Sequence, residues 1–514
     1  MGLATAGGAV VLGGTPVRAF GQTPLLQHLR RLEIDRVLVF VQLSGGNDGL
    51  NTIVPKTNDL YYNARPQIAI QSNQTLAIPG SSDLGFHPSF DALTPLYGDG
   101  EMAVVQNVGY PDPHLSHFDS TDVWLTASNS DDILSTGWVG RYLDSEYPDF
   151  DDDPTDFPLA VQMGGTSALL FQGPAANMGM SLASPELFQR IAEEGVLYEV
   201  DGLPATTFGK EMEFVRTIAN DSFIYADAVQ SASEVGENKV EYPQGNPLSQ
   251  NLSIVARLIK GQLGARIYHV SIGGFDTHAN QGGQNGAHAN LLRNLSEAVK
   301  AFLDDIDADG MGEDVLVLTF SEFGRRVNQN GSNGTDHGTA APMFLFGKGV
   351  EGGLFGNAPD LTDLDQTGNL RFDIDFRSIY ATVLKDWFGL PEETVESVMG
   401  GSFDILGLIS DPAEPPTPTA IEPNAVPERF TLHQNYPNPF NPATTITFTL
   451  ARTEHVTLRI YDVQGRLVQT LVDGMQPAGQ HAMSFDAGHL ASGSYFYTLQ
   501  TTDGLKTRQM TLVR

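Results

Sequence analysis

The sequence predicts an α/β domain with a largely parallel sheet and helices on both faces, followed by a small all-β sandwich. Three observations carry this expectation. First, the apolar strand-like runs Arg36–Leu43, Glu101–Asn107, Arg266–Ile272 and Val315–Phe320 alternate with amphipathic segments. In one of these, His288–Asp304, Leu291, Leu292, Leu295, Val299 and Phe302 recur on a single helical face. Second, residues 411–427, DPAEPPTPTAIEPNAVP, hold six prolines in seventeen positions, a composition that favours an extended spacer over packed structure. Third, the segments ATTITFTL, HVTLRIYDV, RLVQTLV, QHAMSFD, SGSYFYTLQTTDG and KTRQMTLVR beyond it alternate with period two between Gly, Asp and Pro turns. They read as a sandwich of about seven strands.

The expected domain limits are therefore an export segment at 1–19, an α/β domain at 20–410, a linker at 411–427 and a β domain at 428–514. At the N-terminus, Leu3–Leu12 is apolar, rich in small residues and too short to span a bilayer, and Val17-Arg18-Ala19 has the form of a signal-peptidase site. This reads as the remnant of an export signal whose positive n-region is missing; the alternative is a buried N-terminal segment. Arg30-Arg31 lies downstream, where it cannot serve a twin-arginine signal. No run has the length of a transmembrane segment.

Charge and cysteine content exclude several functions. Against 62 Asp and Glu stand 29 Lys and Arg, a formal charge of -33 that repels phosphate backbones and anionic lipid. A nucleic-acid partner is excluded on that ground. From Glu428 onward seven basic residues face six acidic ones, so the acidic excess belongs to the upstream part. Cysteine is absent, which removes thiol nucleophiles, thiolate metal sites, disulfides and formylglycine made from cysteine.

Three polar clusters follow predicted strands of the α/β part, where ligands of open α/β sheets bind. The first strand runs into Ser44-Gly-Gly-Asn-Asp-Gly-Leu-Asn51, with Asp48 a candidate cation ligand. A second runs into Gly273-Gly-Phe-Asp-Thr-His278, and the strand Val315–Phe320 into Ser321-Glu-Phe-Gly-Arg-Arg326, with Gly334-Thr-Asp-His-Gly-Thr339 on a loop beyond. Asp276, His278, Glu322, Asp336 and His337 thus gather at one sheet edge as oxygen and imidazole donors for one divalent cation, be it Zn, Mn, Mg or Ca. The readings without a ligand are an Asx turn with a structural histidine at Asp276 and His278, and a buried ion pair between Glu322 and Arg325. Ser116 lies between His114 and His117 ahead of a predicted helix, and reads as a nucleophile or anion-binding group, with His117 beside it, or as an N-cap. The Asp151–Asp153 run reads as a solvated acidic loop.

Two family resemblances add to this. Phe430-Thr-Leu-His-Gln-Asn-Tyr-Pro-Asn-Pro-Phe-Asn-Pro442, Leu458–Gly465, Gly493–Leu499 and Lys506–Arg514 resemble the C-terminal sorting domain of type IX secretion. The resemblance implies recognition by that outer-membrane machinery, removal of the tail, and release or anchoring at the cell surface. A generic Ig-like adhesion module is the alternative. Upstream, LSGGNDGLNT, RP, SHFDSTDVW, TGWVGRYLD, GGFDTH, SEFGRR, GTDHGTAAP and DFRSIYATVL resemble an uncharacterised secreted bacterial family, often exported by the twin-arginine route, of the alkaline phosphatase and sulfatase superfamily. That resemblance implies an alkaline-phosphatase-like sheet and a metal-dependent hydrolase of phosphate or related esters. Its counterparts here are Asp48, Ser116, Asp276 with His278, Glu322 and His337. The chain departs from the superfamily at Glu322-Phe323-Gly324, where an Asp-His-Gly ligand pair is expected, so one imidazole is lost. There is no Ser-x-Pro-x-Arg sequence around Ser116, which argues against sulfatase chemistry through formylglycine. A non-catalytic cell-surface binding protein with a degenerate metal site is the competing expectation.

Overall fold

The computed structural model describes residues 10–12, 15–17, 36–150, 154–155, 157–164, 169–182, 206, 212, 216, 225–410, 431–432, 435, 440, 442–450, 452–462, 466–476, 479–488, 490, 493–502 and 504–512. The chain divides into two compact units between Thr417 and Pro418. The proline-rich segment 411–427, the acidic run 151–153, the Arg30-Arg31 pair and the first nine residues lie outside the described residues. Val10–Leu12 and Thr15–Val17 pair as an antiparallel hairpin.

In the upstream unit the large sheet is built from β1 (Val37–Ser44), β2 (Met102–Gly109), β3 (Ala160–Met163), β4 (Gly179–Leu182), β5 (Ile267–Gly273) and β6 (Val315–Phe320). A hairpin of β7 (Gly324–Gln329) and β8 (Thr335–Gly338) follows, then β9 (Ala341–Phe346), β10 (Gly353–Phe355) and β11 (Ile374–Asp375). The spatial order is β10-β2-β9-β6-β1-β5-β3-β4, with β11 alongside β2. Neighbours run parallel except at β9, which is antiparallel to both β6 and β2.

The sequence of β1, VLVFVQLS, explains its central place. A strand covered on both faces has no polar side to spare, and here alternate residues feed two cores. Val37, Val39, Val41 and Leu43 pack with Leu252 and Val255 of α4 (Pro247–Lys260) and with Leu295, Val299 and Phe302 of α5 (Ala287–Asp307). Leu38 and Phe40 pack with Val123 and Trp124 of α1 (His117–Thr126), Trp138 and Tyr142 of α2 (Trp138–Glu146), and Ile379 and Tyr380 of α6 (Phe376–Thr382). A further helix, α3 (Ala226–Val235), joins the first core through Val229 and Ala232.

One buried histidine sits inside this sheet. His269 of β5 is enclosed by the rings of Phe40, Phe171 and Phe320, and neither ring nitrogen has a hydrogen-bond partner among the described residues. Burial pushes its pKa down to about 4. Because the folded value lies below the unfolded one, its neutral form contributes stability in full above about pH 6.5, and that contribution is lost as the pH falls towards 4. His269→Phe is therefore expected to retain about 2–3 kcal/mol more of its pH 7 stability at pH 4.5 than the wild type does, read by urea unfolding at both pH values.

In the C-terminal unit the described strands pair antiparallel, and an isolated parallel bridge joins Phe440 to Leu512. One sheet has the order 431–432, 443–450, 479–486; the other has 467–476, 454–462, 493–501, 504–512. Ile446 and Phe448 from the first sheet and Leu458, Ile460, Tyr497 and Met510 from the second share one core, which makes the unit a sandwich of seven described strands. Asn435 donates its backbone N–H to the Tyr497 hydroxyl at 2.7 Å, fixing the chain ahead of the first long strand. No helix among the described residues is long and apolar enough to cross a membrane.

Candidate functional site

The parallel register brings three loops to the same edge. Gly273 of β5 lies opposite Ser44 of β1, and Phe320 of β6 lies opposite Gln42, so the chain leaves all three strands within two residues of the same level. The turn after β1 crosses the turn after β5 so closely that a Cβ on Gly45 would sit 2.3 Å from the Asp276 nitrogen. Gly45 has φ +121°, which also requires glycine. The β7–β8 hairpin then folds Asp336 and His337 over the edge. The sequence reads these two as loop residues, whereas they stand on β8, paired with β7 through Arg325 and His337.

Four side chains converge there. Asp276 Oδ1 lies 3.0 Å from His278 Nε2, 3.3 Å from His337 Nε2 and 3.6 Å from His117 Nε2. The two Nε2 atoms of His278 and His337 are 3.0 Å apart. His117, Asp276 and His337 each offer one ligand atom within 4.8 Å of the others. Phe323 forms the floor, its ring 4.9 Å from that of His117 and 4.5 Å from that of His337.

Behind each imidazole stands an oxygen. His117 Nδ1 is 2.7 Å from Glu322 Oε1, His278 Nδ1 is 3.2 Å from Asp336 Oδ1, and His337 Nδ1 is 2.8 Å from the Leu115 carbonyl. Glu322 and Asp336 thus face the back of the rings rather than the point of convergence. Glu322 is 1% exposed and also accepts the Gly45 N–H at 2.8 Å. It does not pair with Arg325. That guanidinium, with no exposed side-chain surface, donates to Asp276 Oδ1 at 2.7 Å and to the carbonyls of Gly45, Gly46, Phe275 and Thr335.

The electrostatics follow from these contacts. Burial pushes the Asp276 carboxyl up, but the hydrogen bond and charge of Arg325 outweigh it and hold the group below its ordinary value. Burial also lowers the pKa of His337, and the Asn330 amide holds Asp336 below the usual carboxylate range. These shifts favour a charged carboxylate at Asp276 and a neutral ring with a free lone pair at His337. Such a donor set fits a divalent cation, since imidazole and carboxylate ligands are those used for Zn and Mn. Residues that could hold one are Asp276 and His337 together with His117 or His278.

Asp48 does not join this group. It is fully buried, and both its oxygens accept from Arg65 Nη1, at 2.8 and 2.6 Å, with Gln281 as a further donor. Burial raises its pKa, and the opposing Arg65 charge brings it to a net lowering. Ser116 is the N-cap of α1, yet its side chain makes no capping hydrogen bond, so its hydroxyl is left for another partner. Sequence reasoning missed Gln281 and the Leu115 carbonyl. Arg65 was visible only as the Arg65-Pro66 dipeptide, with no partner named.

Residues 215–399, which include Asp276, His278, Glu322, Asp336 and His337, match the family described as protein of unknown function (DUF1501). Residues 434–513 match the secretion system C-terminal sorting domain. Similar solved structures include the PsFucS1 sulfatase from Pseudoalteromonas sp., at 12% identity and TM-score 0.30 over 90% of this chain and 86% of that one. Another is a protein of the alkaline phosphatase superfamily from Vibrio parahaemolyticus, at 9% identity and TM-score 0.29 over 85% and 83%. A third is PorZ, a surface component of the type IX secretion system of Porphyromonas gingivalis, at 20% identity and TM-score 0.13. The match to PorZ covers 16% of this chain and 11% of that one. No curated protein is similar enough in sequence to count as a relative.

Proposed function

We propose that the chain is delivered by type IX secretion to the cell surface or the medium, and that its DUF1501 domain is a metal-dependent hydrolase of phosphate or related esters. The observation that carries this reading is the convergence of three imidazole Nε2 atoms on Asp276 at the carboxyl edge of the parallel sheet. A divalent cation bound there supplies positive charge to the ester oxygens and polarises them. Asp276, His278 and His337 hold it. Ser116 attacks or positions the anionic group, and His117 takes the proton, with the buried Glu322 carboxylate supporting the charged imidazole. The prediction is turnover of aryl phosphates, phosphodiesters or aryl sulfates in the presence of Zn, Mn, Mg or Ca, and its loss in Ser116→Ala. Absence of both bound metal and turnover across these cations and esters would refute it.

Asp48 supports a second reading. A strand-end aspartate neutralised by Arg65 is withdrawn from ligand duty, as in a binding protein with a reduced metal site. Ligand binding retained in Ser116→Ala, with no turnover in either form, selects that reading.

The sorting domain implies export to the cell surface. The finer proposal is that residues 1–19 belong to an export signal and that residues 428–514 suffice as the address. Fused to a reporter in a type IX host, Pro427–Arg514 is expected to bring it to the cell surface; retention in the periplasm contradicts the proposal.

A further inference from the structure

We infer that Glu322, Asp336 and the Leu115 carbonyl are positioning groups that lock three imidazoles in one tautomer, with the hydrogen on Nδ1, and so divide the site into a cation-holding face and a proton-transfer pair. The inference rests on the metal-dependent reading above and assigns roles within it.

The argument is one of donors and acceptors. A carboxylate and a backbone carbonyl only accept, so each imidazole must present N–H to the oxygen behind it. The three distances are 2.7 Å from His117 Nδ1 to Glu322 Oε1, 3.2 Å from His278 Nδ1 to Asp336 Oδ1 and 2.8 Å from His337 Nδ1 to Leu115 O. A neutral imidazole with its hydrogen on Nδ1 has a bare lone pair on Nε2. All three Nε2 atoms then point at an atom that also cannot donate, Asp276 Oδ1. His278 Nε2 and His337 Nε2, 3.0 Å apart, face each other as two lone pairs. Such a contact is repulsive unless a positive charge lies between them.

The backbone is bent to make one of these locks. Leu115 has φ +56°, a left-handed conformation unusual for a bulky side chain, and its carbonyl is the one that meets His337. Asn107 and Asp112 of the same segment have positive φ as well. Strain of this kind persists only where the surroundings over-determine it.

The distances separate two roles. In a tetrahedral site with bonds of about 2.0–2.1 Å the ligand atoms lie about 3.3 Å from one another. Asp276 Oδ1, His278 Nε2 and His337 Nε2 make a triangle with edges of 3.0, 3.0 and 3.3 Å. His117 Nε2 stands further out, at 3.6 Å from Asp276, and has behind it the one buried carboxylate of the set. A ring oriented by a buried carboxylate and open at its other nitrogen is arranged to accept and return a proton. In ester hydrolysis it takes the proton of the attacking hydroxyl as the new bond to phosphorus or sulfur forms. It returns that proton to the leaving oxygen as the ester bond breaks; where the hydroxyl is that of Ser116, water then cleaves the seryl ester in the same way, its proton passing through His117 to Ser116 Oγ.

The test uses the full chain labelled with 15N-histidine, with His117→Gln, His278→Gln and His337→Gln to assign the resonances, and Zn2+ alone as the titrant. Expected in the wild type are Nδ1–H tautomers at all three rings, the form that free imidazole disfavours. Asp336→Ala is expected to return His278 alone to Nε2–H and to weaken Zn2+ binding about 10–100-fold. Asp336→Asn keeps an accepting oxygen and is expected to restore the tautomer and most of the affinity. Asp336 is half exposed on β8, so neither change removes core packing. An Nε2–H tautomer at any of the three wild-type rings overturns the inference. So does an Asp336→Ala protein with His278 and Zn2+ affinity unchanged. Locked tautomers and Zn2+ binding in a protein that cleaves no ester refute the hydrolase reading and leave the lock standing. Ester turnover with unlocked rings does the reverse.

Discussion

Arg65→Leu is expected to destabilise the upstream unit by about 3–5 kcal/mol, the cost of leaving a buried charge without its partner. Arg65 and Asp48 are both fully buried, and the guanidinium also donates to the Val327 and Arg326 carbonyls at 2.8 and 2.9 Å and to Asn51 Oδ1 at 2.9 Å. Removing it leaves the Asp48 carboxylate with Gln281 and strands the accepting carbonyls. The pair ties the turn after β1 to β7, so the loss propagates to the hairpin that carries His337. Urea unfolding at pH 7 measures the effect, and Arg65→Leu combined with Asp48→Leu is expected to recover part of it, since the uncompensated charge is then gone. A single variant as stable as the wild type contradicts the assignment of Asp48 to this ion pair and returns it to the list of metal ligands.

The second large effect is on cation binding. His278→Ala and His337→Ala are each expected to abolish tight binding of a divalent cation, because each removes one of the three atoms at 3.0–3.3 Å separation and leaves a two-ligand remnant. Both side chains are partly exposed, so these changes leave the cores intact. Calorimetric titration with Zn2+ and Mn2+ reads the result, and tight binding retained in either variant rules out the three-atom centre.

Much of the framework was legible because it is periodic. The two-sided burial of VLVFVQLS follows from its five-residue apolar run Val37–Val41, and the face Leu292, Leu295, Val299 and Phe302 of α5 follows from helical spacing. The gathering of Asp276, His278, Glu322 and His337 at one edge followed from the parallel sheet itself, whose strand ends all open the same way. What the sequence did not show was direction. Glu322 and Asp336 carry the right chemistry for ligands, and only the folded turns decide that they face the back of the rings. The contact of Glu322 with His117 spans 205 residues. A backbone carbonyl such as that of Leu115 leaves no trace in residue types at all. The sequence places Gly334–Thr339 on a loop, yet pairing of Thr335–Gly338 with Gly324–Gln329 makes that part a strand. Asp48 was indistinguishable from a ligand until Arg65, seventeen residues away, was seen against it.

The central claim is that this edge of the sheet forms one cation centre, with Phe323 occupying the floor where a further imidazole is lacking. Elemental analysis of the full chain, purified without chelator and after supplementation with Zn, Mn, Mg or Ca, tests it most directly. The expected result is one tightly held divalent cation per chain, lost in His278→Ala and His337→Ala. Two equivalents would contradict the role given to Phe323 and Asp48, and none in every supplemented preparation would contradict the metal centre itself.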